Sequence, residues 1–419
     1  MNVLHLNAWD NVGGSARSAY RIHLGLKRCG VRSRMLVGWQ SHDANGEIGL
    51  IGAHKLWVFD RLADKLTDSL SLQYLFYPSS FLLSFRRWFQ EADIVQLYNT
   101  HGGYFSHTAL PFLSRRKPIV WRLSDMWPMT GHCVYSYGCE RWKTGCGSCP
   151  IVHEYPALRQ DRTALLWRIK QRVYQASNLT IVAPSQWMAG LVKESPLLGR
   201  FPVHVIPNGL DPEVFRPIPK QAAREVLGLH PERKVVLFGA HFASERRKGG
   251  ALLLEALARL HQDIELLVIG RGATQFESSA FPVRCLGPIH DDQLLAAVYS
   301  AADVFVLPTL ADNLPNTVLE SMACGTPVVS FEVGGVPELV RHMETGYVAR
   351  YGDPADLAEG LQRLLGSQEL RATLGSRCRQ VVEQNYRLDL QARRFLELYH
   401  ALIERRQARK GILKKSGHE

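Results

Sequence analysis

Short apolar, β-branched runs separated by helix-length amphipathic segments constrain this chain more than any other feature of it. In the first half the runs are Asn2–Leu6, Ser33–Val37, Asp93–Tyr98, Pro118–Leu123 and Leu179–Ala183. In the second they are Lys234–Gly239, Ile264–Ile269, Val283–Leu286, Asp303–Leu307 and Pro327–Phe331. Strands that are apolar throughout, with helices between them, belong to parallel sheets covered on both faces. The alternation stops and starts again, so the sequence predicts two α/β domains, one over residues 1–205 and one over 206–386. Residues 201–220, FPVHVIPNGLDPEVFRPIPK, are too rich in proline and turn residues for a helix and read as the hinge. Residues 387–419 read as a C-terminal helix packing back on the first domain, ending in a basic, solvated tail. Ligands of open parallel sheets collect beyond the carboxyl ends of the strands, so two such sheets facing each other predict an interdomain cleft, with its chemistry in the loops after strands.

Charge narrows the partners without choosing one. Lys and Arg number 50 against 39 Asp and Glu, a formal charge of +11 that predicts attraction to nucleic acid, an anionic lipid surface or a phosphorylated small molecule. The start, MNVLHLNAWDNVGG, lacks the basic and apolar regions of a secretory signal, which predicts a cytoplasmic protein. Residues 69–85, SLSLQYLFYPSSFLLSF, carry no charge but are broken by serines, Gln73 and Pro78, so they fall short of a membrane span. With Arg86 and Arg87 behind them they read either as a segment lying on a membrane surface or as a partly buried helical hairpin at a sheet edge.

Three loops after strands carry candidate chemistry. The first, NAWDNVGGSARS, places Gly13 and Gly14 before a helix, where backbone can approach a phosphate and unpaired N–H groups can receive it. The second, GAHFASERRKGG, brings Arg246, Arg247 and Lys248 to a helix start, as a diphosphate clamp requires. In the third, LPTLADNLPNTVLESMACGTPVV, Asp312 lies in the loop and Glu320 one turn into a helix starting near Asn316. Carboxylates so placed suit sugar hydroxyls, and the N–H groups near Asn316 and Thr317 suit a phosphate; helix capping is the plain alternative.

Taken together, these loops resemble the retaining GT-B glycosyltransferases of family 4. Residues 308–329 are similar to that family's E-x7-E segment with Asp312 and Glu320 as the two acids, VIPNGLDPEVFRP to its interdomain signature, and RRKGG to its phosphate-binding turn. The resemblance implies a nucleoside-diphosphate sugar donor, with Gly13, Gly14 and Lys248 on the diphosphate, Glu320 on the ribose, and Asp312 with Asn313 to Thr317 on the transferred sugar and its phosphate. It further implies retention of configuration by front-face attack, with no cofactor required for catalysis. The chain departs from the family in two places. Asp312 stands for the usual Glu, and Ala240 for the Arg that commonly follows the strand glycine, leaving Arg247 or Arg246 to supply that charge. Relatives carry a His-Asp pair after an N-terminal strand, where this chain has Ser124-Asp125; Asp125 and His101 are the catalytic candidates on that side.

Four of the eight cysteines, Cys133, Cys139, Cys146 and Cys149, fall in the loop 131–150 with C-x5-C-x6-C-x2-C spacing. Four thiolates at this spacing match a closed structural zinc site and, less well, an iron–sulfur cluster. Free thiols or a Cys146–Cys149 redox pair are the other readings. A subset of family members of the colanic-acid type, involved in surface polysaccharide synthesis, has a similar loop. The remaining cysteines, Cys29, Cys285, Cys324 and Cys378, read as core. The expected function is thus sugar transfer to a saccharide or lipid-linked saccharide at the inner face of the plasma membrane, with an anionic membrane as a partner and nucleic acid excluded. A nucleotide-sugar epimerase or hydrolase and a non-catalytic anion-binding protein are the competing readings.

Overall fold

Val235 and Leu237 turn to one side of a strand, and Val236 and Phe238 to the other, yet all four are fully buried. Helices on both sides of the sheet are the reason, and they are why such strands read as unbroken apolar runs. The computed structural model describes residues 1–41, 46–52, 56–276 and 281–415. The chain forms two units, Met1–Pro207 with Gln391–Glu419, and Asn208–Leu390.

The first unit is built on seven parallel strands: β1 Asn2–Trp9, β2 Arg32–Trp39, β3 Ile48–Leu50, β4 Ile94–Leu97, β5 Ile119–Arg122, β6 Leu179–Ala183 and β7 Val203–Val205. Their order in the sheet is β3-β2-β1-β4-β5-β6-β7. β1 pairs with β2 through Val3 and Ser33 and with β4 through Val3 and Ile94. The loops after β1 and β4 therefore diverge at the point where the strand order reverses, which is where open α/β sheets hold ligands. Helix α1, Gly14–Arg28, buries Ala19, Ile22 and Leu26 against Val3, Met35 and Val37. Phe395, Leu398 and Tyr399 of the long helix Leu388–Lys415 complete that same core. Two further helices, α2 at Leu56–Ser69 and α3 at Pro78–Leu82, lie in the long β3–β4 connection.

The second unit has six parallel strands: β8 Lys234–Phe242, β9 Ile264–Arg271, β10 Val283–Gly287, β11 Val304–Leu307, β12 Val328–Phe331 and β13 Gly346–Ala349. Their order is β10-β9-β8-β11-β12-β13, so its own reversal lies between β8 and β11. One sheet face packs on the helix Asn316–Ala323 through Val318, Leu319 and Met322, the other on the helix Gly250–Leu257 through Leu253 and Ala256. Buried Asp303 fixes the start of β11, accepting from Arg224 at 2.7 Å, Lys220 at 2.8 Å and the Val235 amide at 2.8 Å.

The structure differs from the sequence reading at the edges. β3, β7 and β13 have no counterpart among the expected strands, and β7 lies inside the stretch read as hinge. Within 69–85 the helical residues are Ser69, which ends α2, and Pro78–Phe85, with Ser71, Gln73, Tyr77 and Leu83 buried. Cys324 and Cys378 are buried, but Cys29 and Cys285 are exposed: Cys29 caps the C-terminal end of α1, and Cys285 lies on the edge strand β10 of its sheet. Among the described residues no helix is long and apolar enough to cross a membrane.

Candidate active site

In the second unit the loops after β8 and β11 are locked together by backbone. Gly249 takes φ +72°, and a Cβ there would stand 1.8 Å from the Pro308 carbonyl oxygen, so only glycine lets the two turns meet. Gly334, at φ +58°, presses on the Asp312 carbonyl in the same way, where a Cβ would come within 1.9 Å. Between these contacts the Leu310 amide donates to the Arg247 carbonyl at 2.7 Å, and Thr309 Oγ1 donates to the same oxygen at 3.1 Å. The loop carrying Asp312 is thus held from both sides by main chain.

Lys248 Nζ lies 2.7 Å from Asp312 Oδ2 and Arg247 Nη1 lies 3.6 Å from it. Burial alone would raise the Asp312 carboxyl; Lys248, Arg247 and the Asn313 amide at 3.1 Å outweigh it and hold the acid below the usual carboxylate range. Burial and the adjacent Arg247 bring Lys248 below an ordinary lysine, against the pull of Asp312. Arg247 is braced by Glu245 at 2.8 Å and by the Ala311 carbonyl at 2.8 Å. Of the two arginines left open by the sequence, Arg247 is therefore the one whose guanidinium stands over Asp312. Asn313 is buried beside it, and Asn316 and Thr317 open the helix Asn316–Ala323, whose cap residue Pro315 provides no side-chain bond to its first N–H groups. Glu320, one turn along, is 1% exposed, and its Oε2 accepts from the Tyr299 hydroxyl at 3.0 Å. Tyr299, on the helix Asp292–Ala301, does not stand out in the sequence; a tyrosine in an apolar helical stripe carries no signal of this role.

In the first unit, Gly13 caps α1 at φ +86°, and a Cβ placed on either Gly13 or Gly14 would meet no atom within 4 Å. The backbone before α1 is therefore open to a close-approaching group. Ser15 Oγ, one residue on, meets Ser124 Oγ at 2.8 Å and ties the loop after β1 to the loop after β5. Beside Ser124, Asp125 Oδ2 lies 2.9 Å from His101 Nε2, while its Oδ1 accepts from the Trp127 amide at 3.0 Å. Tyr155 lies 3.4 Å from the other His101 nitrogen. The two catalytic candidates taken separately from sequence thus form one buried His-Asp pair, assembled from the loops after β4 and β5. Behind it Lys170, fully buried, donates to the Trp127 and Thr130 carbonyls at 2.7 and 2.9 Å, and burial pushes its ammonium down to about 7.

The cysteine loop starts where this pair ends. Cys133, Cys139, Cys146 and Cys149 all line one small cavity of about 20 Å³, together with His132, which is room for about one atom. The Gly131 amide donates to Cys146 Sγ at 3.2 Å, and His132 Nε2 lies 3.2 Å from Cys149 Sγ. Gly145, Cys146, Gly147 and Ser148 all take positive φ, and the turn is tied down by the Gly145 and Cys146 amides donating to the Arg141 carbonyl and the Gly147 amide donating to Thr163 Oγ1. Burial pushes the Cys133 thiol up to about 12 and Cys146 up to about 11. Among the described residues no three of His, Cys, Asp and Glu already stand at metal-holding spacing. The donor set suits zinc, but the sulfurs would have to draw inward to reach a common ion.

Comparison with known proteins bears on both units. Residues 12–214 match the family described as Glycosyltransferase Family 4, and residues 233–367 match Glycosyl transferases group 1. A D-inositol 3-phosphate glycosyltransferase of Xylanimonas cellulosilytica is 31% identical over 64% of this chain and 69% of its own length. A protein of Escherichia coli K12, named as a colanic acid biosynthesis glycosyl transferase, WcaC, is 29% identical over 53% of this chain and 54% of its own. The chain thus spans about half the length of that relative. The crystal structure of Anabaena HepE in complex with UDP-glucose superposes with a TM-score of 0.66 and 16% identity, covering 96% of this chain and 100% of that one. That likeness shows the shared GT-B architecture of two parallel-sheet units. With both halves matched in order, the chain belongs to the family 4 glycosyltransferases.

Proposed function

We propose that this enzyme transfers a sugar, with retention of configuration, from a nucleoside-diphosphate sugar to a saccharide or lipid-linked saccharide acceptor in surface polysaccharide biosynthesis. The observation that carries the reading is the cluster of Lys248, Arg247 and Asp312, positioned by main chain at the carboxyl ends of β8 and β11. Two cations at that place suit a departing diphosphate, whose negative charge grows as the glycosidic bond breaks. Support for a nucleotide-sugar donor comes from the HepE structure with UDP-glucose, and for the polysaccharide setting from the naming of WcaC.

In this reading Lys248 and Arg247 take the diphosphate, with the N–H groups of Asn316 and Thr317 behind them. Glu320, oriented by Tyr299, accepts from the ribose hydroxyls. Asp312 and Asn313 receive the hydroxyls of the transferred sugar. On binding, the diphosphate competes with Asp312 for Lys248, and the released carboxylate becomes available to the sugar. The acceptor oxygen bonds to the anomeric carbon on the face from which the diphosphate leaves, and its proton passes to a diphosphate oxygen. His101 and Asp125 orient the acceptor hydroxyl for that approach. The cysteine loop, closed on one zinc ion through its four thiols, would order the wall beside His101 and Asp125 and take no part in bond making.

A panel of UDP-, GDP- and ADP-sugars tests the reading, scored for binding and for transfer. Asp312→Ala and Glu320→Ala each lower kcat/KM by about 10²-fold with an unchanged circular-dichroism spectrum. Unchanged turnover in both variants, or epimerisation or hydrolysis of the nucleotide-sugar without transfer, would overturn it.

A further inference from the structure

Surface helices of soluble proteins turn their apolar stripe inward and their charges to water. Helix α2 does the reverse. Asp60, Asp64 and Asp68 recur every four residues and so share one face. That face is spent on the protein: Asp60, 8% exposed, accepts from the Ser79 amide at 3.1 Å, Asp64 accepts from the Tyr77 hydroxyl, and Asp68 pairs with Arg159 at 3.4 Å. Asp60 is the one buried residue among the described residues of α2. The opposite face carries Phe59, Leu62 and Leu66 at 59, 61 and 63% exposure. Leu70, Phe76 and Phe85, from the turn after α2 and the segment around α3, extend it at 52, 50 and 66%. More than half of the large exposed hydrophobics among the described residues lie between residues 50 and 85. An apolar surface of this extent marks an interaction site.

Its charge selects the partner. Arg61 and Lys65 stand on α2 beside the apolar stripe, with the Arg61 guanidinium over the rings of Trp39 and Trp57 at 4.6 and 5.2 Å. Arg86 and Arg87 follow Phe85; Arg87 shares its one acid, Glu91, with Arg34 at 2.6 and 2.9 Å. Cations rim the apolar stripe while the acids of α2 face inward. A second copy of the chain seated on the same face would set Arg61 and Lys65 against their own equivalents, which like charges oppose. We propose that this face docks on an anionic lipid bilayer, with α2 lying in the headgroup plane, its leucines and phenylalanines among the acyl chains and its cations on the lipid phosphates. The uncharged stretch 69–85 contributes Leu70, Phe76 and Phe85 to the surface, but α2 supplies its axis.

Vesicle binding needs neither donor nor acceptor, so it stands or falls apart from sugar transfer. The full chain is sedimented with vesicles of phosphatidylethanolamine and phosphatidylglycerol, and with vesicles of phosphatidylcholine alone. Wild type partitions onto the anionic vesicles and far less onto the neutral ones. Leu62→Ser/Leu66→Ser lowers that partition by about tenfold or more, with an unchanged thermal midpoint because both side chains are exposed. Arg61→Gln/Lys65→Gln lowers it at low salt and by less at high salt. Val226→Ser, an equally exposed apolar position of the second unit, leaves it unchanged. Equal binding by wild type and Leu62→Ser/Leu66→Ser, or no preference for anionic lipid, overturns the proposal. A dimer in solution that becomes monomeric in Leu62→Ser/Leu66→Ser also overturns it and assigns the face to a second copy.

Discussion

The chain separates His101 from Asp125 by 24 residues, and the fold brings their side chains within 2.9 Å. Each residue could be picked out from sequence as a polar group just after a strand, but the pairing could not. It depends on β4 and β5 being neighbours in the sheet, which is a property of strand order and leaves no local trace. The same holds for Arg247 and Arg246: adjacent arginines look alike in sequence, and only the backbone clamp around Pro308 decides which guanidinium stands over Asp312. Asp312 and Glu320 were legible through the resemblance to the family's E-x7-E segment; by position alone, a loop acid and an acid near a helix start read equally well as capping. If His101 and Asp125 position the acceptor, His101→Ala lowers kcat by about 10²-fold while leaving the Kd for the nucleotide-sugar, read by calorimetry, as in wild type. Loss of donor binding instead would move the pair to the donor's side of the reaction.

Most of the central strands were legible from their burial, although the partly exposed β10 was also read and the mostly buried β13 was not. β8 and β11 are buried on both faces and show as unbroken apolar runs, whereas β3 and β7 sit at the sheet edges, three residues long and half-exposed, with too little hydrophobic contrast to stand out from turns. Helix α2 was missed for another reason. Its periodicity is that of any amphipathic helix, and a hydrophobic stripe does not say in which direction it points. The cysteine loop is a different case: its spacing announced a cluster, and the fold sets all four cysteines along one cavity, yet among the described residues no three of them stand at metal-holding spacing. Purified under reducing conditions without added zinc, the protein should carry about one equivalent of metal by elemental analysis. Cys146→Ser should lose that metal and several degrees of thermal midpoint, because binding to the folded loop is itself folding free energy. Metal-free protein with four freely titrating thiols would dismiss the site.

On the scale of the whole molecule, acid should loosen the first unit before the second. His5, His23 and His107 all lie in the first unit, and burial, the largest cause in each case, depresses all three: His23 to about 4, His107 to about 3, and His5 well below the ordinary value. The unfolded chain takes up protons near pH 6.5 that the folded unit refuses until about 3 to 4, so stability declines as pH falls through that window. For His107 alone the loss between pH 6.5 and 4 is about 3 kcal/mol. Urea midpoints measured across this range should fall with pH, and His107→Leu should flatten the slope; an identical slope in the variant would remove His107 as a source.

The helix Leu388–Lys415 gives the molecule a further property. The first unit's core needs Phe395, Leu398 and Tyr399, the last of which also bonds Gln96 on β4, the strand between β1 and β5. A ribosome adds those side chains only after the whole of the second unit. The lobe that is begun first must therefore wait, with an apolar face uncovered, while the lobe begun second has every residue it needs. Vectorial synthesis and folding run in opposite order in this protein. A nascent chain stalled before Phe395 would expose to chaperones the surface that the finished enzyme hides.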